Sequence, residues 1–119
     1  MKKKVLVVDD EKEIVDFLER FLKRLNIDVV KAISGSEAID MYNTHSPDCV
    51  FLDIKMPDRD GLEVLREIKK INPLSKVVMI TGKEEQEYQE KAKKYGAIDY
   101  ITKPLDLAEL NKKIHEHIL

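Results

Sequence analysis

Four short apolar runs each end on a residue with chemistry to offer, and helix-length stretches separate them. Val5-Leu6-Val7-Val8 runs into Asp9-Asp10, Cys49-Val50-Phe51-Leu52 into Asp53, Val77-Val78-Met79-Ile80 into Thr81-Gly82, and Ile98-Asp99-Tyr100-Ile101-Thr102 into Lys103-Pro104. Short β-branched runs bounded by turn residues read as strands, and strands alternating with helices read as a parallel sheet covered on both faces. Ligands of such sheets bind outside the carboxyl ends of the strands. Three carboxylates, a hydroxyl and an ammonium would therefore share one rim, a set suited to a divalent cation and a phosphoryl group.

The alternation gives five strand–helix units. Strands are expected near Lys4–Val8, Asp28–Ala32, Asp48–Asp53, Lys76–Thr81 and Ile98–Thr102. The first helix should bury Ile14, Leu18, Phe21, Leu22 and Leu25, and the second, opened by the capping-box spacing Ser34–Glu37, should bury Ala38, Ile39 and Tyr42. The third starts near Gly61, buries Leu62, Leu65, Ile68 and Ile71, and stops at Asn72-Pro73. The fourth, near 84–95, has the thin apolar stripe Tyr88, Ala92 and Tyr95, with Gly96 as its C′ residue. The fifth opens at Asp106 and buries Leu107, Leu110, Ile114 and Ile118.

Composition excludes several classes of function. The 119 residues suit one domain able to bury a core without staples, and 21 basic against 23 acidic residues leave −2, no field for nucleic acid or an anionic membrane. No apolar run approaches the roughly 18 residues of a membrane span, and no signal peptide is visible, so a cytoplasmic location is expected. The lone Cys49 rules out an internal disulfide and reads as core. His45, His115 and His117 are scattered or terminal and are not read as ligands or phosphoryl donors.

In order along the chain, V-L-V-V-D-D-E, F-L-D-I-K-M-P-D-R-D-G, V-V-M-I-T-G and G-A-I-D-Y-I-T-K-P resemble the receiver domain of bacterial two-component response regulators. The resemblance covers essentially the whole chain. It implies a flavodoxin-like, doubly wound (βα)5 fold with strand order 2-1-3-4-5, a single receiver domain over residues 1–119 with no output domain, and a phosphoacceptor that is not an enzyme acting on an external metabolite.

Residue by residue, Asp53 matches the phosphoacceptor, a carboxylate acting as nucleophile to form an acyl phosphate. Asp9 and Asp10 match the family's acidic pair. Three crowded carboxylates resist joint ionisation without a cation, and Mg²⁺, with Mn²⁺ as a substitute, is the cofactor implied. By resemblance Asp10, Asp53 and the backbone carbonyl of Lys55 bind it directly and Asp9 acts through water. Asp10 is also a candidate cap of the first helix. Lys103 should offset developing phosphoryl charge, Thr81 should bond a phosphoryl oxygen, and Pro104 is a candidate cis proline, as is typical of the family. Tyr100 holds the switch-aromatic position, coupled through Thr81 to the surface of the fourth helix, fifth strand and fifth helix. Lys55 and Lys83 stand where side chains flank the path of the hydrolytic water, and two ammonium groups there are expected to prolong the phosphorylated state. D-I-K-M-P is also similar to the free-standing receivers of phosphorelays.

The partners implied are a sensor histidine kinase or phosphotransferase upstream and an effector protein downstream, with the helix 4–helix 5 face open to homodimerisation on activation and no direct contact with nucleic acid or membrane. Two other classes share part of this residue set. A haloacid-dehalogenase-type phosphatase also uses a strand-end Asp, Mg²⁺, Thr and Lys, but wants D-x-D after its first strand, and here the acids are adjacent. A phosphate-independent interaction module generally lacks part of the acidic set or the lysine, all of which are present here. Flavin binding is disfavoured by an acidic loop after the first strand.

Overall fold

A computed structural model describes residues 2–82 and 86–119. The elements alternate as β1 (Lys4–Val8), α1 (Lys12–Arg24), β2 (Asp28–Ala32), α2 (Gly35–His45), β3 (Cys49–Asp53), α3 (Gly61–Ile71), β4 (Val77–Thr81), α4 (Gln86–Lys94), β5 (Asp99–Thr102) and α5 (Leu107–His117). All strand pairs are parallel and form one sheet in the order β2-β1-β3-β4-β5, the doubly wound order that the resemblance implies.

The period-2 alternation of each strand divides the core into two layers. Val5, Val7, Cys49, Phe51, Val78, Ile80 and Ile101 face α1 and α5, meeting Val15, Leu18, Leu22, Leu110, Ile114 and Ile118. Leu6, Val8, Val50, Leu52, Val77 and Met79 face the other way, onto Ala38, Tyr42, Leu65, Ile68 and Ala92 of α2, α3 and α4. Strands β3 and β4 are buried at every position, which is why their sequences are nearly unbroken apolar runs. Burial pushes the Cys49 thiol up to about 12, so it stays protonated and inert in the core.

Helix starts follow local chemistry. Ser34 accepts from the Glu37 N–H at 3.1 Å, Asp60 from Leu62 at 2.8 Å, and Asp106 from Ala108 at 2.8 Å. Gly96 closes α4 with φ +102°, a conformation that strains a residue bearing a Cβ.

Some expectations fail at helix ends. Asp10 does not cap α1: Glu11 holds the N-cap position, with no side-chain cap bond, and Asp10 remains exposed. Ile71 and Leu107 are 43% and 54% exposed rather than core. Each is the terminal residue of its helix, where the apolar face continues but the sheet beneath it has ended. Val15 and Val64, 3% and 0% exposed, belong to the core instead.

Candidate functional site

The carboxyl ends of β1, β3, β4 and β5 deliver the chemically active side chains to one rim. Asp9, Asp10 and Glu11 follow β1, Asp53 ends β3, Thr81 ends β4, and Lys103 follows β5. The turns that hold them are tightly bonded. The Lys103 N–H donates to the Thr81 carbonyl at 2.7 Å, the Ile54 N–H to the Ile80 carbonyl at 3.1 Å, and the Glu11 N–H to Asp9 Oδ1 at 2.9 Å. The Lys103–Pro104 peptide bond is cis.

Oxygens of Asp9, Asp10 and Asp53 lie within 4.8 Å of one another. Asp9 is fully buried and Asp53 is 4% exposed, while Asp10 opens to solvent. Lys103 faces the group: its Nζ stands 3.1 Å from Glu11 Oε1, 3.2 Å from Asp9 Oδ2 and 3.6 Å from Asp53 Oδ2. Burial pushes the Asp53 carboxyl up to about 7, the Asp9 charge adding to it, while Lys103 and the Lys55 N–H pull the other way. Burial raises Asp9 as well, against the Glu11 N–H and Lys103. For Lys103, burial disfavours the charged form, but Glu11, Asp53 and Asp9 outweigh it and hold the ammonium above the usual lysine range.

This donor set fits a hard divalent cation. The oxygens are few and carboxylate, as Mg²⁺ prefers, and their charges repel until something positive joins them. Asp9 Oδ2 is buried yet makes no hydrogen bond among the described residues. Among the described residues one lysine, Lys103, is shared by Asp9, Glu11 and Asp53 and leaves that acceptor only partly compensated.

The loop after β3 is folded back beside this rim. The Gly61 N–H donates to the Ile54 carbonyl at 2.7 Å, and Lys55 and Asp60 form an isolated bridge. A Cβ on Gly61 would lie 2.3 Å from the Asp53 carbonyl oxygen and 2.7 Å from Ile54 Cα, so only glycine permits this approach. Asp58 fastens the same loop to α2, accepting from the Gly35 N–H at 2.8 Å and the Ser36 N–H at 3.1 Å. Those amides hold its carboxyl below the usual carboxylate range.

Thr81 is fully buried, and its hydroxyl accepts from Gln89 Nε2 of α4 at 3.4 Å. Tyr100 is half-buried, with Lys113 Nζ 5.0 Å and Lys93 Nζ 5.9 Å from its ring centroid. Lys113 also reaches the Tyr100 carbonyl and pairs with Asp99 at 3.0 Å, which in turn meets His117 Nε2 at 2.9 Å. The Lys55 side chain is exposed. Lys83 lies outside the described residues. Glu11 closes the V-L-V-V-D-D-E run with no local sign of a role. Its contact joins positions 92 residues apart, beyond the reach of any local pattern.

The fold and this rim define a flavodoxin-like α/β protein with an acidic, cation-ready pocket at the carboxyl edge of its sheet. The family model described as response regulator receiver domain matches residues 5–115. The receiver domain of NtrX from Brucella abortus is 35% identical, with TM-score 0.91 over 96% of this chain and 97% of that one. A response regulator receiver domain protein from Clostridium thermocellum is 36% identical, with TM-score 0.90 over 98% and 94%. Against a longer chain of Brucella abortus NtrX the identity is 35% and the TM-score 0.93, and the match spans 99% of this chain but 27% of that chain. The chain belongs to the response regulator receiver domains, phosphoacceptor signalling domains of two-component systems.

Proposed function

We propose that this receiver takes a phosphoryl group onto Asp53 in a Mg²⁺-dependent reaction and passes the change to a partner protein. The observation that carries the reading is the convergence of Asp9, Asp10, Asp53 and Lys103 on one rim, with Asp53 buried at the end of β3. Asp10, Asp53 and the Lys55 carbonyl would hold the cation, with Asp9 acting through water. When bound, the cation would screen the carboxylates and offset charge on the phosphoryl oxygens.

In the step itself, an Asp53 carboxylate oxygen attacks phosphorus. The bond from phosphorus to the donor, a phosphohistidine nitrogen of a kinase or phosphotransferase, breaks, and the freed imidazole takes a proton. Lys103 supplies a fixed positive charge as the phosphoryl group arrives. Ionised Asp53 is the nucleophile, so a carboxyl pushed up to about 7 is partly protonated at neutral pH until a cation lowers it.

Thr81 is the proposed relay. Its hydroxyl is engaged by Gln89 of α4 and would exchange that contact for a phosphoryl oxygen. Tyr100, which pairs with Met79 two residues before Thr81, would then turn inward, altering the face of α4, β5 and α5 that the downstream effector or a second copy of the chain reads. Lys55, with Lys83, is proposed to obstruct the hydrolytic water and prolong the phosphorylated state.

Incubation with acetyl phosphate and Mg²⁺, followed by intact-mass measurement, tests the reading. One phosphoryl adduct is expected in the wild type and none in Asp53→Asn or in EDTA. An unmodified wild type that still binds Mg²⁺ would leave a phosphate-independent interaction module.

A further inference from the structure

Lys103 has three carboxylates within ion-pair distance, and the nearest belongs to a residue outside the proposed chemistry. Glu11 Oε1 is 3.1 Å from the ammonium and hydrogen-bonded to it, whereas Asp53 Oδ2 is 3.6 Å away. Glu11 occupies the N-cap of α1, a position that favours Ser, Thr, Asp or Asn, yet its side chain caps nothing. Its backbone is fixed on both sides: the N–H donates to Asp9 Oδ1 at 2.9 Å, and the carbonyl accepts from Ile14 and Val15 at 3.1 and 3.2 Å. The longer Glu side chain thus crosses from the start of α1 to the end of β5. The Lys103 backbone is anchored by the 2.7 Å bond to the Thr81 carbonyl, while its ammonium is shared among the three carboxylates and can redistribute among them.

We propose that Glu11 is a positioning residue that restrains Lys103 in the unphosphorylated state, so that the ammonium must leave Glu11 to reach the phosphoryl group. The inference rests on the reading of Asp53 as acceptor. Two states of Lys103 differ in partner: Glu11 and Asp9 before transfer, phosphoryl oxygens after it. Any interaction made only before transfer stabilises the starting state, and so raises the barrier to transfer and shifts the equilibrium away from the phosphorylated form. The Glu11 side chain is 59% exposed, so the restraint is a modest one. Its removal should accelerate phosphorylation roughly two- to fivefold.

Direct repulsion between Glu11 and an anionic donor would also be relieved by Glu11→Gln, so the test must ask whether the effect passes through Lys103. Adduct formation from acetyl phosphate with Mg²⁺ is followed by intact mass in wild type, Glu11→Gln, Lys103→Met and the double variant, with urea unfolding confirming that each is folded. The expected result is acceleration by Glu11→Gln when Lys103 is present and none when it is Met. Beryllofluoride, a phosphoryl mimic, supplies a readout without turnover: with Mg²⁺ its affinity should rise in Glu11→Gln by a similar factor, again only with Lys103 present. No change in rate or affinity, or an equal change in both backgrounds, overturns the restraint. A wild type that forms no adduct and binds no beryllofluoride removes the acceptor reading itself, and the inference falls with it. Adduct formation unaffected by Glu11→Gln leaves that reading standing and removes the inference alone.

Discussion

Asp53→Asn should stabilise the protein in EDTA, and more at pH 8 than at pH 5. Burial raises the folded-state carboxyl to about 7, whereas in the unfolded chain it titrates near its ordinary value of about 4. Between those values the folded state holds a proton that the unfolded state has lost, so this group's contribution to stability falls as pH rises through the window. The resulting ceiling on the cost of the ionised form is about 4 kcal/mol at pH 8 and under about 2 kcal/mol at pH 5. Asparagine keeps the shape and can still accept from the Lys55 N–H. It gives up the attraction of Lys103 at 3.6 Å, but that ammonium retains Asp9 and Glu11. With partial relaxation of the site, the expected gain is about 1–3 kcal/mol at pH 8 and below about 1 kcal/mol at pH 5. Urea unfolding followed by circular dichroism, with equal m-values for the two proteins, measures it. A variant less stable than wild type at pH 8, or a gain no smaller at pH 5, would refute the reasoning.

Mg²⁺ should stabilise the wild type by mass action, about 2.7 kcal/mol at a hundredfold excess over its dissociation constant, read as a rise in Tm that Asp10→Asn reduces and Asp53→Asn nearly abolishes. Gly61→Ala should cost about 3 kcal/mol or more, because the added Cβ meets backbone atoms of Asp53 and Ile54 at 2.3–2.7 Å and none of these can yield. The same change should slow phosphorylation, since it moves the acceptor's own carbonyl. Lys55→Asn should shorten the lifetime of the phosphorylated form, measured as decay of the adduct mass, and an unchanged decay would show that the exposed lysine does not obstruct water.

The strands were legible because three of them are buried on both faces, which forces apolar, β-branched runs whatever the order of the sheet. The order was not legible from periodicity: which strands are neighbours depends on contacts far apart in the chain, and it came from the motif resemblance. Helix faces were legible, and so were the ends that Ser34, Asn72, Gly96 and Asp106 mark; where an apolar stripe leaves the core was not. Ile71 and Leu107 continue the apolar stripes of α3 and α5 but overrun the sheet, and nothing in a 3.6-residue period marks where the opposing surface stops. Asp is a good cap, yet the cap position falls one residue after Asp10, at Glu11, and α1 begins at Lys12. At the rim, Asp9, Asp53, Thr81 and Lys103 announced themselves by ending strands. The Glu11–Lys103 pair and the tie from Asp58 to the start of α2 did not, because each joins residues that only the folded sheet brings together.

The central claim is that one particular carboxylate of the three carries the phosphoryl group. Borohydride reduces an acyl phosphate to the alcohol, turning a phosphorylated aspartate into homoserine, and peptide mapping then locates the altered residue. After treatment with acetyl phosphate and Mg²⁺, reduction should place homoserine at position 53 and leave Asp9 and Asp10 intact. Homoserine at position 9 or 10, or none in a protein that has gained a phosphoryl mass, would contradict the account.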